Sequence, residues 1–118
     1  MTGIGLHVGD HGGWVVARIT GEIDLTNVKE LGERLRSAVA NDSAGLVLDL
    51  SSVRYLDSTG LRLLFRLLRE LGSRQQELHL VVPEEATISR ILVLGGVAAA
   101  MPVYPTLESR DRQAGVES

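Results

Sequence analysis

The segment Gly45-Leu-Val-Leu-Asp-Leu50 is apolar at both odd and even positions, with a single aspartate as exception. A strand of that composition has no natural solvent side and must be covered on both faces. Downstream, Leu61, Leu64, Leu67, Leu68 and Leu71 recur at helical spacing and form one apolar stripe. A buried strand feeding an amphipathic helix belongs in a layered α/β sheet, where helices provide the covering. Between the two lies Leu56-Asp57-Ser58-Thr59-Gly60, which puts Ser58 where a loop enters a helix.

The rest of the chain fits that architecture. Ile4, Leu6 and Val8 alternate with Gly5, His7 and Gly9, as in a half-buried strand, and Asp10 to Gly13 is a turn signal. Trp14 to Ile19 reads as the second arm of an antiparallel hairpin. A helix is predicted from near Thr26 or Asn27, with Val28, Leu31, Leu35 and Val39 on one face. Gly32 interrupts it at a cost of about 1 kcal/mol relative to Ala, and either a close packing contact, the favoured reason, or a partner groove would account for it. Ser51 to Asp57 reads as a loop. Gly72 is a plausible C-terminal cap for the second helix, and Glu77 to Val82 a fourth strand. Pro83 is predicted to open a third helix through about Leu94, with Gly95-Gly96 breaking it and a short edge strand at Met101 to Tyr104. The order is β-β-α-β-α-β-α-β: a single α/β domain over 1–107, a mixed sheet with a parallel core and an N-terminal hairpin. Residues 108–118 read as a weak terminal helix or a flexible tail. Asp24, Asp57, Ser58 and Pro83 all follow strands and are expected to gather at one end of the sheet.

Composition narrows the chemistry. The net charge of -3 gives no footprint for nucleic acid. Lys29 is the only lysine among twelve basic residues, although Arg62, Arg66 and Arg69 could form a local basic face on the second helix. Without cysteine there is no disulfide, thiol nucleophile or cysteine-based metal site. No apolar run is long enough to span a bilayer, and no signal-peptide pattern opens the sequence, so a cytoplasmic protein is expected.

Ser58 has two readings at this stage. A serine at a helix entry is a good N-cap. The same place, with free N–H groups and a positive dipole end, also holds a phosphate comfortably, so Ser58 is a candidate phosphoacceptor as well, although position alone favours the cap. Asp57 is a competing cap, or a group that orients the hydroxyl. Asp49 at the end of a strand invites a receiver-domain reading, but no lysine follows Lys29 and no acidic pair follows the first strand. Glu22, Asp24, Asp49 and Asp57 have no metal-specific spacing, nor do His7, His11 and His79, of which His7 and His79 are expected to face outward. A hydrolase built on Ser58 and His79 would lack the Gly-x-Ser-x-Gly elbow. There is no phosphate-binding Walker sequence, and Gly3-Ile-Gly5 follows no strand. No cofactor is expected.

Ile19-Thr-Gly-Glu-Ile-Asp24, Val47-Leu-Asp-Leu50, Tyr55-Leu-Asp-Ser-Thr-Gly-Leu61, Leu80-Val-Val-Pro83 and Ile91-Leu-Val-Leu-Gly-Gly-Val97 together resemble the STAS-domain anti-sigma-factor antagonists of bacteria. The likeness runs from about Ile4 to Leu107. It implies a non-enzymatic regulatory domain. An anti-sigma factor that is also an ATP-dependent serine kinase would phosphorylate the serine matching Ser58, and a metal-dependent serine phosphatase would remove the phosphate. The unphosphorylated form would bind the anti-sigma factor and free a sigma factor. The partner-binding positions carried over are Asp24, Asp57, Ser58, Thr59, Gly60, Leu61 and Arg62. Arg62 departs from the pattern, where a small residue is common. Two other readings stay open: a standalone STAS subunit of a membrane lipid-transport complex, and a small enzyme or nucleotide binder using Ser58 and Asp57.

Overall fold

The structure, a computed structural model, describes residues 2–116. Five strands lie side by side in chain order: β1 (Ile4–His11), β2 (Trp14–Ile23), β3 (Gly45–Leu56), β4 (Glu77–Val81) and β5 (Val103–Tyr104). β1 and β2 form the antiparallel hairpin, closed by His11 opposite Trp14. The β2–β3, β3–β4 and β4–β5 pairs are parallel. The helices are α1 (Val28–Ala38), α2 (Ser58–Gly72), α3 (Ser89–Leu94), α4 (Val97–Ala100) and α5 (Leu107–Ala114). None among the described residues is long and apolar enough to cross a membrane.

The period-2 alternation of the strands sorts the side chains into two cores. Val15, Ala17 and Ile19 of β2, Leu46, Leu48 and Leu50 of β3, and Leu78 and Leu80 of β4 point to one face. There they meet Leu31 and Leu35 of α1, Leu64, Leu67 and Leu71 of α2, and Leu92 and Val97 of α3 and α4. Trp14, Val47 and Val81 point the other way, with Leu107 of α5 and Val116 packed on them. The doubly apolar run 45–50 is therefore sandwiched between helices, as its composition demands.

Several expectations need correction. Ser51 to Leu56 is strand: β3 continues past Asp49, where β4 ends, and pairs there with β2 alone, Ser52 opposite Thr20 and Leu56 opposite Ile23 across two register shifts. One flank is open, so polar Ser51, Ser52 and Arg54 are tolerated. Pro83 opens a series of turns, and the helix begins only at Ser89. Pro83 thus lies back at the level where β4 stops; Thr87 reaches the β3 extension instead, its hydroxyl donating to the Arg54 carbonyl at 3.0 Å. Gly72 is the last residue of α2 and does not cap it; Ser73 is the cap, in a right-handed conformation, and the backbone reaches positive φ only at Gln75. Leu63, absent from the expected stripe, is buried, whereas Leu61 and Leu68 are half-buried. His79 faces inward, 4% exposed, against Trp14 and Arg110.

Gly32 is explained by packing. A Cβ there would stand 3.0 Å from Leu63 Cδ1 and 2.9 Å from Arg36 Nη1, so the glycine sets how closely α1 approaches α2.

Candidate functional site

Because Ile23 lies opposite Leu56, the chain leaves β2 and β3 at the same level. Asp24 and Asp57 follow directly, and the Asp57 N–H donates to the Ile23 carbonyl at 3.2 Å. The β2–α1 turn is organised by side chains. Asp24 Oδ1 accepts from the Thr26 N–H at 3.0 Å and from the Thr26 hydroxyl. Buried Asn27 accepts from the Asp24 N–H at 3.1 Å and donates to the Thr2 and Glu22 carbonyls, both at 2.8 Å. Asn27 therefore braces strand ends and supplies no side-chain cap to α1.

At α2 the cap is Asp57, not Ser58. Its backbone is extended, and Oδ1 accepts from the Thr59 N–H at 2.9 Å, the Gly60 N–H at 3.2 Å and the Thr59 hydroxyl. Burial alone would push this carboxyl up. The hydrogen bonds from the Thr59 hydroxyl and from the Gly60, Thr59 and Leu25 N–H groups outweigh that, and its pKa falls below the ordinary aspartate value. Ser58, relieved of capping, is the first helical residue and is exposed. Thr59 is half-buried and its hydroxyl is committed to Asp57.

Gly60 is buried where the helix meets the sheet. A Cβ there would come within 2.8 Å of Leu56 Cγ and 3.2 Å of Ile23 Cγ2. Leu61 packs sideways on the end of α3, since a Cβ on Gly95 would lie 2.9 Å from Leu61 Cδ1. Arg62 is exposed one turn after Ser58, on the same helix face. No acidic residue occupies the first turn of α2, so nothing there offsets the positive end of the helix dipole beyond the cap itself.

The structure thus brings Asp24, Asp57, Ser58, Thr59, Gly60, Leu61 and Arg62 to one end of the molecule. It adds an apolar fringe that the sequence did not signal: Leu25 is 75% exposed on the Asp24 turn, and Leu94 is 74% exposed beside Gly95. Leu94 was expected to end a longer helix opened by Pro83, and Leu25 carries no periodic signal in the sequence.

The alternative chemistries lose their geometry. His79 belongs to the face opposite α2, bound to Glu77 and Arg110, so it cannot serve Ser58 as a base. Among the described residues no three histidine or acidic side chains form a group able to hold a metal.

Comparison with known proteins agrees with this fold. The chain is 35% identical over 100 residues to the anti-sigma-F factor antagonist RsfB of Mycobacterium tuberculosis, a match covering 85% of this chain and 80% of that one. The crystal structure of an anti-sigma factor antagonist from Mycobacterium paratuberculosis superposes with a TM-score of 0.79 at 35% identity, over 90% of this chain and 89% of the other. At 21% identity the unphosphorylated form of the anti-sigma factor antagonist SpoIIAA shares the fold, with a TM-score of 0.76 over 97% of this chain and all of that one. The STAS domain model matches residues 7–110. With its sheet order, its helix placement and its sequence all in agreement, the chain belongs to the STAS domain family.

Proposed function

We propose that this protein is an anti-sigma-factor antagonist, and that Ser58 is the residue whose phosphorylation switches it. The observation that carries the reading is the division of labour at the α2 entry. Asp57 does the capping and holds the Thr59 hydroxyl, so Ser58 alone presents an uncommitted, exposed hydroxyl at the positive end of a helix. The relatives' names favour regulation over transport.

In this reading the chain is a ligand and a substrate, not a catalyst. The unphosphorylated form docks on a cytoplasmic anti-sigma factor through the end of the sheet described above, and the sigma factor is released. The same partner, acting as a serine kinase, moves the γ-phosphoryl group of ATP onto Ser58 Oγ, which loses its proton while ADP departs. A metal-dependent phosphatase returns the hydroxyl by hydrolysis. The phosphoserine adds nearly two negative charges in the space the partner occupies, yet is tolerated locally by the α2 dipole and by Arg62 one turn on. Binding is then lost by repulsion and bulk, without unfolding.

The test is incubation of the full chain with an anti-sigma factor kinase from the same genome and ATP, then peptide mapping. Phosphate is expected on Ser58, and Ser58→Ala is expected to abolish it. Phosphate chiefly on Thr59, or on no residue of the 57–62 segment, would overturn the assignment.

A further inference from the structure

A groove of about 610 Å³ runs between α1 and α2, separate from the apolar fringe yet continuous with the α2 entry through Thr59 and Arg62. Its floor is apolar, from Val28 and Leu63. Four cations line it, Lys29, Arg36, Arg62 and Arg66, against two carboxylates, Glu33 and Glu70. The charge balance is positive on a chain whose net charge is -3.

Only part of that charge is neutralised inside the groove. Arg36 grips Glu70 with two hydrogen bonds, at 2.6 and 3.0 Å, and that pair closes on itself. It also lowers the Glu70 pKa, first through the hydrogen bond and then through the charges of Arg36, Arg66 and Arg69, with burial opposing. Lys29, Arg62 and Arg66 are exposed and form no ion pair among the described residues. Arg62 and Arg66 stand four apart on one helix, a like-charge spacing that disfavours the helix rather than supporting it. The cations are spread along the rim over more than a helical turn, and no buried donors converge on one point. That layout fits an extended polyanion better than a small one.

We infer that this groove docks an acidic segment of the anti-sigma factor, with an apolar side chain on Val28 and Leu63 and carboxylates against Lys29, Arg62 and Arg66. The inference rests on the function proposed above and deepens it. It also supplies a second action for the phosphate. A phosphoserine at 58 draws on Arg62 and turns the mouth of the groove negative, so the acidic segment is repelled while the apolar contacts remain available. The switch then works by cancelling an electrostatic attraction, not only by obstructing a surface.

The test is a titration of unphosphorylated full-length protein against the anti-sigma factor at several salt concentrations. The double variant Lys29→Glu/Arg66→Glu leaves the 57–62 segment untouched and is expected to weaken binding tenfold or more and to flatten the salt dependence. Lys29→Gln/Arg66→Gln, a milder change, is expected to fall between. Arg112→Glu, on the opposite face, is expected to bind like wild type. In backbone chemical shift mapping, a peptide copying the most acidic surface segment of the anti-sigma factor is expected to perturb Lys29, Leu63 and Arg66, and its Asn/Gln version is not. Wild-type affinity in both double variants would overturn the groove while leaving the antagonist reading intact. Saturable binding of inorganic phosphate or ATP at Lys29 and Arg66, or self-association abolished by the double variant, would overturn it in favour of a small anion or a second copy. Failure of the wild-type chain to bind any anti-sigma factor of its genome would sink both readings.

Discussion

The two faces of the sheet treat charge in opposite ways. Behind the sheet, Arg110 is completely buried, its guanidinium 4.0 Å from the centre of the Trp14 ring. It donates from Nε to His79 Nδ1 at 3.2 Å and from Nη1 to Asp111 at 3.1 Å. Asp111 holds His11 Nε2 at 2.8 Å, and His79 Nε2 reaches Glu77 at 3.0 Å. Since Nδ1 of His79 accepts from Arg110, its ring proton sits on Nε2. In front, Lys29, Arg62 and Arg66 stand exposed without ion-pair partners among the described residues. The same residue types serve both places. What separates them is charge pairing: behind the sheet Arg110 and Asp111 answer each other's charge, although Arg110 Nη2 finds no hydrogen-bond acceptor among the described residues, and the network fixes the terminal helix; in front, unpaired charges are available to another molecule.

The contrast fails if the rear network can be dismantled without loss of stability. Arg110→Ala strips Asp111 and His79 of their partner in a buried site, and a cost of about 3–5 kcal/mol is expected in denaturant unfolding. Whatever fraction remains folded should still bind the anti-sigma factor, because the front surface is untouched. A cost below 1 kcal/mol would show that α5 is an accessory to the fold.

The seat of α2 comes next. Gly60→Ala pushes a methyl group into Leu56 and Ile23, and overpacking of this kind costs about 1–3 kcal/mol. The start of the helix must shift, so Ser58 phosphorylation is expected to slow more than the stability loss explains. Unchanged phosphorylation kinetics in the folded variant would mean that the position of Ser58 is not held by this contact.

The smallest effect is the sharpest discriminator between neighbours. Asp57→Ala removes the cap, for about 0.5–2 kcal/mol. Ser58→Ala should move stability by no more than about 0.5 kcal/mol, as for an ordinary surface change. Acid unfolding carries the same signature. The Asp57 pKa is depressed in the folded state, so its contribution is present above the ordinary carboxylate range and is lost as pH falls through the folded value. Asp57→Asn should therefore flatten the acid limb, and Ser58→Ala should leave it alone. Equal costs for Asp57→Ala and Ser58→Ala would return capping to Ser58.

Much of this was legible in the sequence, and the exceptions have physical reasons. The run 45–50 and the leucines of α2 announce themselves because burial on both faces, or along one stripe, leaves a periodic trace. The N-terminal hairpin is visible for the same reason. The extension of β3 to Leu56 was hidden because a strand paired on one flank admits Ser51, Ser52 and Arg54, which read as loop. Between Asp57 and Ser58, composition could not choose the cap, since both residues are good at it and only the backbone geometry decides. Arg110 and His79 were invisible as core residues: beyond its neighbour Asp111, the buried arginine needs the Trp14 ring and the His79 acceptor brought from distant parts of the chain, and no local pattern encodes that. Leu25 and Leu94 were passed over because an exposed leucine has meaning only once its neighbours are known.

One consequence of Gly60 reaches beyond stability. With no side chain there, the first turn of α2 rests directly against Leu56 and Ile23. Ser58 cannot be drawn out into an extended strand without lifting that turn off the sheet. If Ser58 is the phosphoacceptor proposed above, its kinase must accept a finished surface, with a helix on one side and the Asp24 turn on the other, in place of a string of residues threaded through its cleft. Recognition is written in three dimensions, and a short peptide cut from this stretch would carry the letters without the shape.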